Sequence, residues 1–171
     1  MRTTTVIQVR FNDIDMAGHV HNAVYLSFFE QARMDLLRAF IAKDHDWKAE
    51  GLILARNEVD YRKPVHLRDA VEVECWCSNI GSKSFELSYA LFVRRPDGSR
   101  DLHTQGRSVM VCFDYRTNAS TTVPEHWRKA VNRFMEAECT CAAPSPPPGL
   151  SCSPPFSVAA PVRSSEPSTT S

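Results

Sequence analysis

One long apolar helical stretch, set among five segments that alternate like strands, constrains this chain more than any other feature. From residue 23 to about residue 43, Val24, Tyr25, Phe28, Phe29, Ala32, Leu36, Leu37, Phe40 and Ile41 recur at helical spacing. They leave only a narrow polar stripe that includes Glu30, Gln31 and Arg38. Asn22 stands where an N-cap is wanted. Residues 3–11 alternate before the helix; residues 52–61, 70–78, 83–94 and 100–115 alternate after it. Pro96-Asp-Gly-Ser99 reads as a turn, and Pro124 opens a short amphipathic helix through Trp127, Val131 and Phe134. The order β-α-β-β-β-β-α places the chain in the α+β class.

A helix of about 20 residues is a rod near 30 Å long. Five strands make a sheet roughly 20 Å wide. One curved sheet covers such a rod on one side only, so the apolar surface left over predicts a second copy of the chain, a homodimer.

The 171 residues suffice for one core-bearing domain, expected over residues 1–137. Beyond it, residues 138–171 hold eight of the eleven prolines among many serines, and read as a disordered Pro/Ser-rich tail. Twenty basic side chains balance twenty acidic ones, which argues against a general nucleic-acid or membrane-surface binder. No apolar run approaches the roughly 20 residues that cross a bilayer, and the start of the chain lacks a signal-peptide h-region. A cytoplasmic location is expected. Cys75, Cys77 and Cys112 lie in strand segments and read as reduced core thiols, since C-x-C is not a zinc or redox spacing.

The chemistry concentrates between Arg10 and Tyr25. Asp15 lies one short loop ahead of the helix, and Gly18 is free to take a positive φ. A helix start exposes unpaired N–H groups, here around Asn22, Ala23 and Val24, that can hold the charge developing on a carbonyl oxygen. A carboxylate with such donors is a recipe for acyl transfer that needs no serine or cysteine nucleophile. Asp13, two residues from Asp15, is a competing turn former. His19 is read as orienting the loop; His19 and His21, without a third ligand nearby, do not make a metal site. No metal and no cofactor are expected. Lys83 and Ser84 at one strand start, and Arg62 with Lys63 at a strand end, are candidates to meet phosphates.

The pattern F-x-D-x-D-x-x-G-H-V-x-N-x-x-Y-L-x-F-F-E-x-A-R, from Phe11 to Arg33, resembles the hotdog-fold acyl-CoA thioesterases of the 4-hydroxybenzoyl-CoA thioesterase type. Val59-Asp-Tyr-Arg-Lys-Pro64, Ile80-Gly-Ser-Lys-Ser-Phe85 and Val111-Cys-Phe-Asp114 fit the same family, and the likeness spans about residues 4–135. The resemblance implies a central helix wrapped by a five-stranded antiparallel sheet, with active sites at a dimer interface. It implies Asp15 as general base or nucleophile, and a backbone N–H at Asn22 facing the thioester carbonyl. His21 departs from the pattern, since relatives usually carry a second Asn there. The implied partners are an acyl-CoA substrate and further copies of the chain, as a dimer or a dimer of dimers. A non-catalytic acyl-CoA-binding module, and a hydratase using His19 or His21, are the alternatives.

Overall fold

The computed structural model describes residues 2–140, with side chains in the last helix as far as Asn132. Strand β1 (Arg2–Ile7) leads through a single 3-10 turn (Phe11–Asp13) to helix α1 (Val24–Arg38). Strands β2 (Gly51–Tyr61), β3 (Ala70–Ile80), β4 (Ser84–Arg94) and β5 (Arg100–Asp114) follow. A two-residue β6 (Ala119–Ser120) precedes α2 (Glu125–Thr140). The strands form one antiparallel sheet in the order β1-β3-β4-β5-β2, with β6 paired to the end of β5. The sheet therefore has six strands, not five. A two-residue strand is too short for an alternating pattern to announce it.

Register aligns the apolar rows. Ile7, Val71 and Val93 are in line across β1, β3 and β4, as are Thr5, Val73 and Leu91. All six are buried or nearly so. The next row runs Thr3, Cys75, Tyr89 and Gly106, and the Phe29 ring of α1 stacks on Tyr89 at 4.5 Å and 10°. A Cβ on Gly106 would stand 2.4 Å from Phe29 Cε2, so only glycine lets the helix approach β5 this closely. The face of α1 turned to the core is Tyr25, Phe28, Phe29, Ala32, Leu36 and Leu37, as its spacing predicts. Arg33 is buried among them, within reach of the Tyr89 hydroxyl at 3.4 Å and the Glu30 carboxylate at 3.3 Å.

Three local expectations are corrected. Helix α1 has 15 residues and is about 22 Å long. The backbone tightens at its end, where the Ala39 and Phe40 N–H groups donate three residues back to Leu36 and Leu37. Asn22 is not the N-cap. Ala23 occupies that position in a helical conformation without a side-chain cap, and the Ala23 N–H donates to His21 Nδ1 at 3.2 Å. Strand β1 stops at Ile7, because Asp13 Oδ2 accepts the Arg10 N–H at 2.7 Å and curls the chain into the 3-10 turn. That turn leaves Phe11 exposed.

The free thiols of Cys75 and Cys112 are buried and that of Cys77 is half-buried, as expected for core cysteines. The backbone of α2 continues to Thr140, past the boundary expected at residue 137. Residues 141–171, and with them most of the expected tail, lie outside the described residues.

Candidate active site

The loop ahead of α1 is a tight hairpin. Ile14 and Val20 form an antiparallel bridge, the Asp15 N–H donates to the His19 carbonyl at 2.8 Å, and the Gly18 N–H returns to the Asp15 carbonyl at 3.0 Å. Gly18 takes φ +81°, the left-handed conformation its sequence position predicts. The Asp15 carboxylate is fixed by its own loop: Oδ1 accepts the Ala17 N–H at 2.8 Å and the His19 N–H at 3.2 Å. Its second oxygen takes no hydrogen bond among the described residues. The Val20 N–H donates to the Val65 carbonyl at 2.8 Å, which ties the hairpin to the segment leaving β2.

Between these two segments lies a cleft of ≈ 300 Å³. Asp15, His19, Val20 and Asn22 line one wall, and Tyr61, Arg62, Lys63 and Pro64 the other, with Tyr25 at the base of the helix. The second wall is held because the Arg62 and Lys63 N–H groups both donate to the His103 carbonyl, at 2.9 and 3.0 Å. Tyr61 joins the walls: its hydroxyl donates to the Asn22 carbonyl at 2.9 Å. The Asn22 N–H donates to no acceptor among the described residues, unlike those of Ala23 and Val24, which are taken by His21.

The two tyrosines remain protonated in this setting. Burial pushes the Tyr25 hydroxyl up, against the opposing pull of its hydrogen bonds, and burial likewise raises Tyr61. Both are donors rather than bases. Asp15 is thus the carboxylate of the cleft, facing one basic pair and one unused backbone donor. The arrangement can polarise a carbonyl and deliver an oxygen to its carbon.

Of the residues singled out from the sequence, Asp15, His19, Asn22 and Arg62 come together here. Gly18 shapes the hairpin but does not line the cleft. Lys83 and Ser84 lie elsewhere: the Lys83 ammonium donates to the Ser120 carbonyl and hydroxyl at 3.3 and 3.4 Å, holding β6. Asp13 is the structural member of the Asp13/Asp15 pair, bonded to the Arg10 N–H. Sequence reasoning missed Tyr61 and took Tyr25 for packing alone. The signal was present in Pro64, which ends β2 and turns the preceding Tyr-Arg-Lys toward the hairpin.

The model of the thioesterase-like superfamily matches residues 9–131 of the chain, a span containing every residue of the cleft. The long-chain acyl-CoA thioesterase FadM of Escherichia coli K12 is 25% identical over 135 residues, covering 77% of this chain and 98% of that protein. A solved structure of a predicted thioesterase from Bacillus stearothermophilus superposes with a TM-score of 0.69 at 25% identity, covering 78% of this chain and 96% of that one. A 4-hydroxybenzoyl-CoA thioesterase mutant, solved in complex with 4-hydroxybenzoyl-CoA, gives a TM-score of 0.70 at 14% identity over 76% of this chain and 98% of that one, a likeness of fold. By its sequence span, helix-on-sheet architecture and relatives, this chain belongs to the thioesterase-like superfamily and is a hotdog-fold thioester hydrolase.

Proposed function

We propose that the chain hydrolyses an acyl-CoA thioester to the free acid and CoA, with Asp15 as general base or nucleophile. The observation that carries this reading is the placing of Asp15 and the unused Asn22 N–H on one wall of one cleft. A thioester carbonyl directed at the start of α1 has its oxygen met by that N–H and by the positive end of the helix dipole. The unengaged Asp15 oxygen then takes a proton from water, which attacks the carbonyl carbon. Alternatively it attacks directly, and water resolves the resulting anhydride. Either route expels the CoA thiolate, which collects the proton. His19, its ring edge-on to His66 at 5.1 Å, positions the hairpin. Arg62 and Lys63 supply positive charge for the CoA phosphates; Lys83 and Ser84 serve this substrate only from elsewhere on the surface.

The reading includes a homodimer. Strand β2 closes one side of the sheet over eleven residues with Leu54 exposed, and an open strand edge of that length invites pairing. Leu26 and Met34 keep apolar surface exposed on α1. Among the described residues no helix is long and apolar enough to cross a membrane. A cytoplasmic location suits the unpaired core thiols.

The test is a thiol-release assay on the wild-type chain with short, long and aryl acyl-CoAs. Turnover of at least one class is expected. Saturable binding of all of them without product would overturn hydrolysis and leave an acyl-CoA-binding module.

A further inference from the structure

We propose that His45, Glu50 and His126 form a site for a divalent metal ion of the zinc type, beyond the end of α1 opposite the cleft. One nitrogen of each histidine and one Glu50 carboxylate oxygen all lie within 4.8 Å of one another. His45 Nδ1 is 3.7 Å and His126 Nε2 3.6 Å from Glu50 Oε2. Neither separation is a hydrogen bond. Zinc bonds to nitrogen and oxygen of about 2.0–2.2 Å, at tetrahedral angles, set neighbouring ligand atoms about 3.4 Å apart. The two histidine–carboxylate separations exceed that by only a few tenths of an ångström, and the two histidine nitrogens, within 4.8 Å of each other, close by about 1.4 Å at most.

The orientation of His45 is the independent observation. Its Nε2 lies 2.7 Å from the Glu50 carbonyl oxygen, which can only accept, so Nε2 carries the proton. That bond turns Nδ1 toward the Glu50 carboxylate, 3.7 Å away and beyond hydrogen-bond reach. The His45 side chain is 6% exposed, held between Trp47 at 4.7 Å and Trp127 at 5.3 Å, so the ring keeps this orientation, while Glu50 and His126 remain open to an arriving ion. Donation of the second ring N–H to a backbone carbonyl is also how ligating histidines are commonly oriented.

The frame is prepared as well. The Asp46 carbonyl accepts the Ala49 and Glu50 N–H groups at 3.1 and 3.0 Å, and Asp46 Oδ1 accepts that of Lys48 at 3.0 Å. These bonds fix the loop that presents His45 and Glu50, while His126 comes from the first turn of α2. A bound ion pins the start of α2 to the loop between α1 and β2. Two imidazoles and one carboxylate favour zinc over calcium or magnesium, which seek oxygen ligands, and leave a fourth position for water.

The test titrates the full chain with Zn²⁺ against a chromophoric chelator and records the visible spectrum with Co²⁺. Expected are tight binding and a Co²⁺ spectrum without a thiolate charge-transfer band, which separates this site from the cysteines. His126→Gln, at an exposed position that tolerates change, weakens Zn²⁺ roughly tenfold or more. Glu50→Gln does the same. Affinity only in the millimolar range, thiolate ligation, or wild-type affinity in both variants would overturn the proposal. The cluster would then be a protonated ion-pair group.

Discussion

The two ends of α1 are built from the same helix and the same sheet, yet they offer opposite chemistry. At its start the chain enters through a half-exposed hairpin, and the groups left over are a backbone donor and a carboxylate oxygen facing a cleft. Beyond its end, the loop sets His45 against two tryptophans, and what comes together is two imidazole nitrogens and one carboxylate oxygen. The first arrangement suits an electron-rich oxygen; the second suits a cation. The lesson is that a hotdog helix does not dictate its chemistry. Whichever polar atoms the adjoining loops leave unsatisfied decide it.

The sharpest way to break this comparison is at the open end. Asp15→Asn keeps an acceptor for the Ala17 and His19 amides but removes the base or nucleophile. We expect turnover to fall about 10²–10⁴-fold with acyl-CoA affinity little changed, read by thiol release and equilibrium binding. The middle of the helix should instead affect both ends together. Phe29→Ala removes the ring between Tyr89 and Gly106, and should cost about 3–5 kcal/mol, measured as a urea midpoint shift. Gly18→Ala acts on the hairpin alone. Its positive φ should cost the variant about 1–2 kcal/mol locally and slow turnover, without moving Zn²⁺ affinity at the far end.

The smallest effect comes from β3, remote from both ends. Burial pushes the Glu74 carboxyl up, but hydrogen bonds and charge from Arg100 and Arg2 outweigh it and hold it below its ordinary 4.5. A folded-state value below the unfolded one adds stability that is present above pH 4.5 and lost as pH falls through the folded value. Glu74→Gln should flatten that acid limb of the stability curve. An unchanged limb would assign it to other carboxylates.

The period of α1, the alternation of β3 and β4, and the Pro96–Ser99 turn were legible because each rests on a repeating pattern. The left-handed Gly18 was legible as well, since a tight turn ahead of a helix favours a glycine at positive φ. Where geometry rather than pattern decides, reading from the sequence failed. Asn22 is a good cap by type, yet His21 reaches the Ala23 amide first. The helix continues on paper to residue 43 because Phe40 and Ile41 keep the period, although the backbone has already tightened at Ala39. Tyr61 donates to Asn22 across a separation no local pattern spans, and His126 meets His45 and Glu50 in the same way. The bond from Lys83 to Ser120 was not legible either, because β6 is a two-residue strand.

The most direct measurement is the structure of the chain bound to a non-hydrolysable acyl-CoA ketone analogue. The account predicts the carbonyl oxygen within hydrogen-bond distance of the Asn22 N–H, and the carbonyl carbon facing the Asp15 carboxylate. An analogue seated outside this cleft, or inside it with its carbonyl turned from α1, would contradict the account.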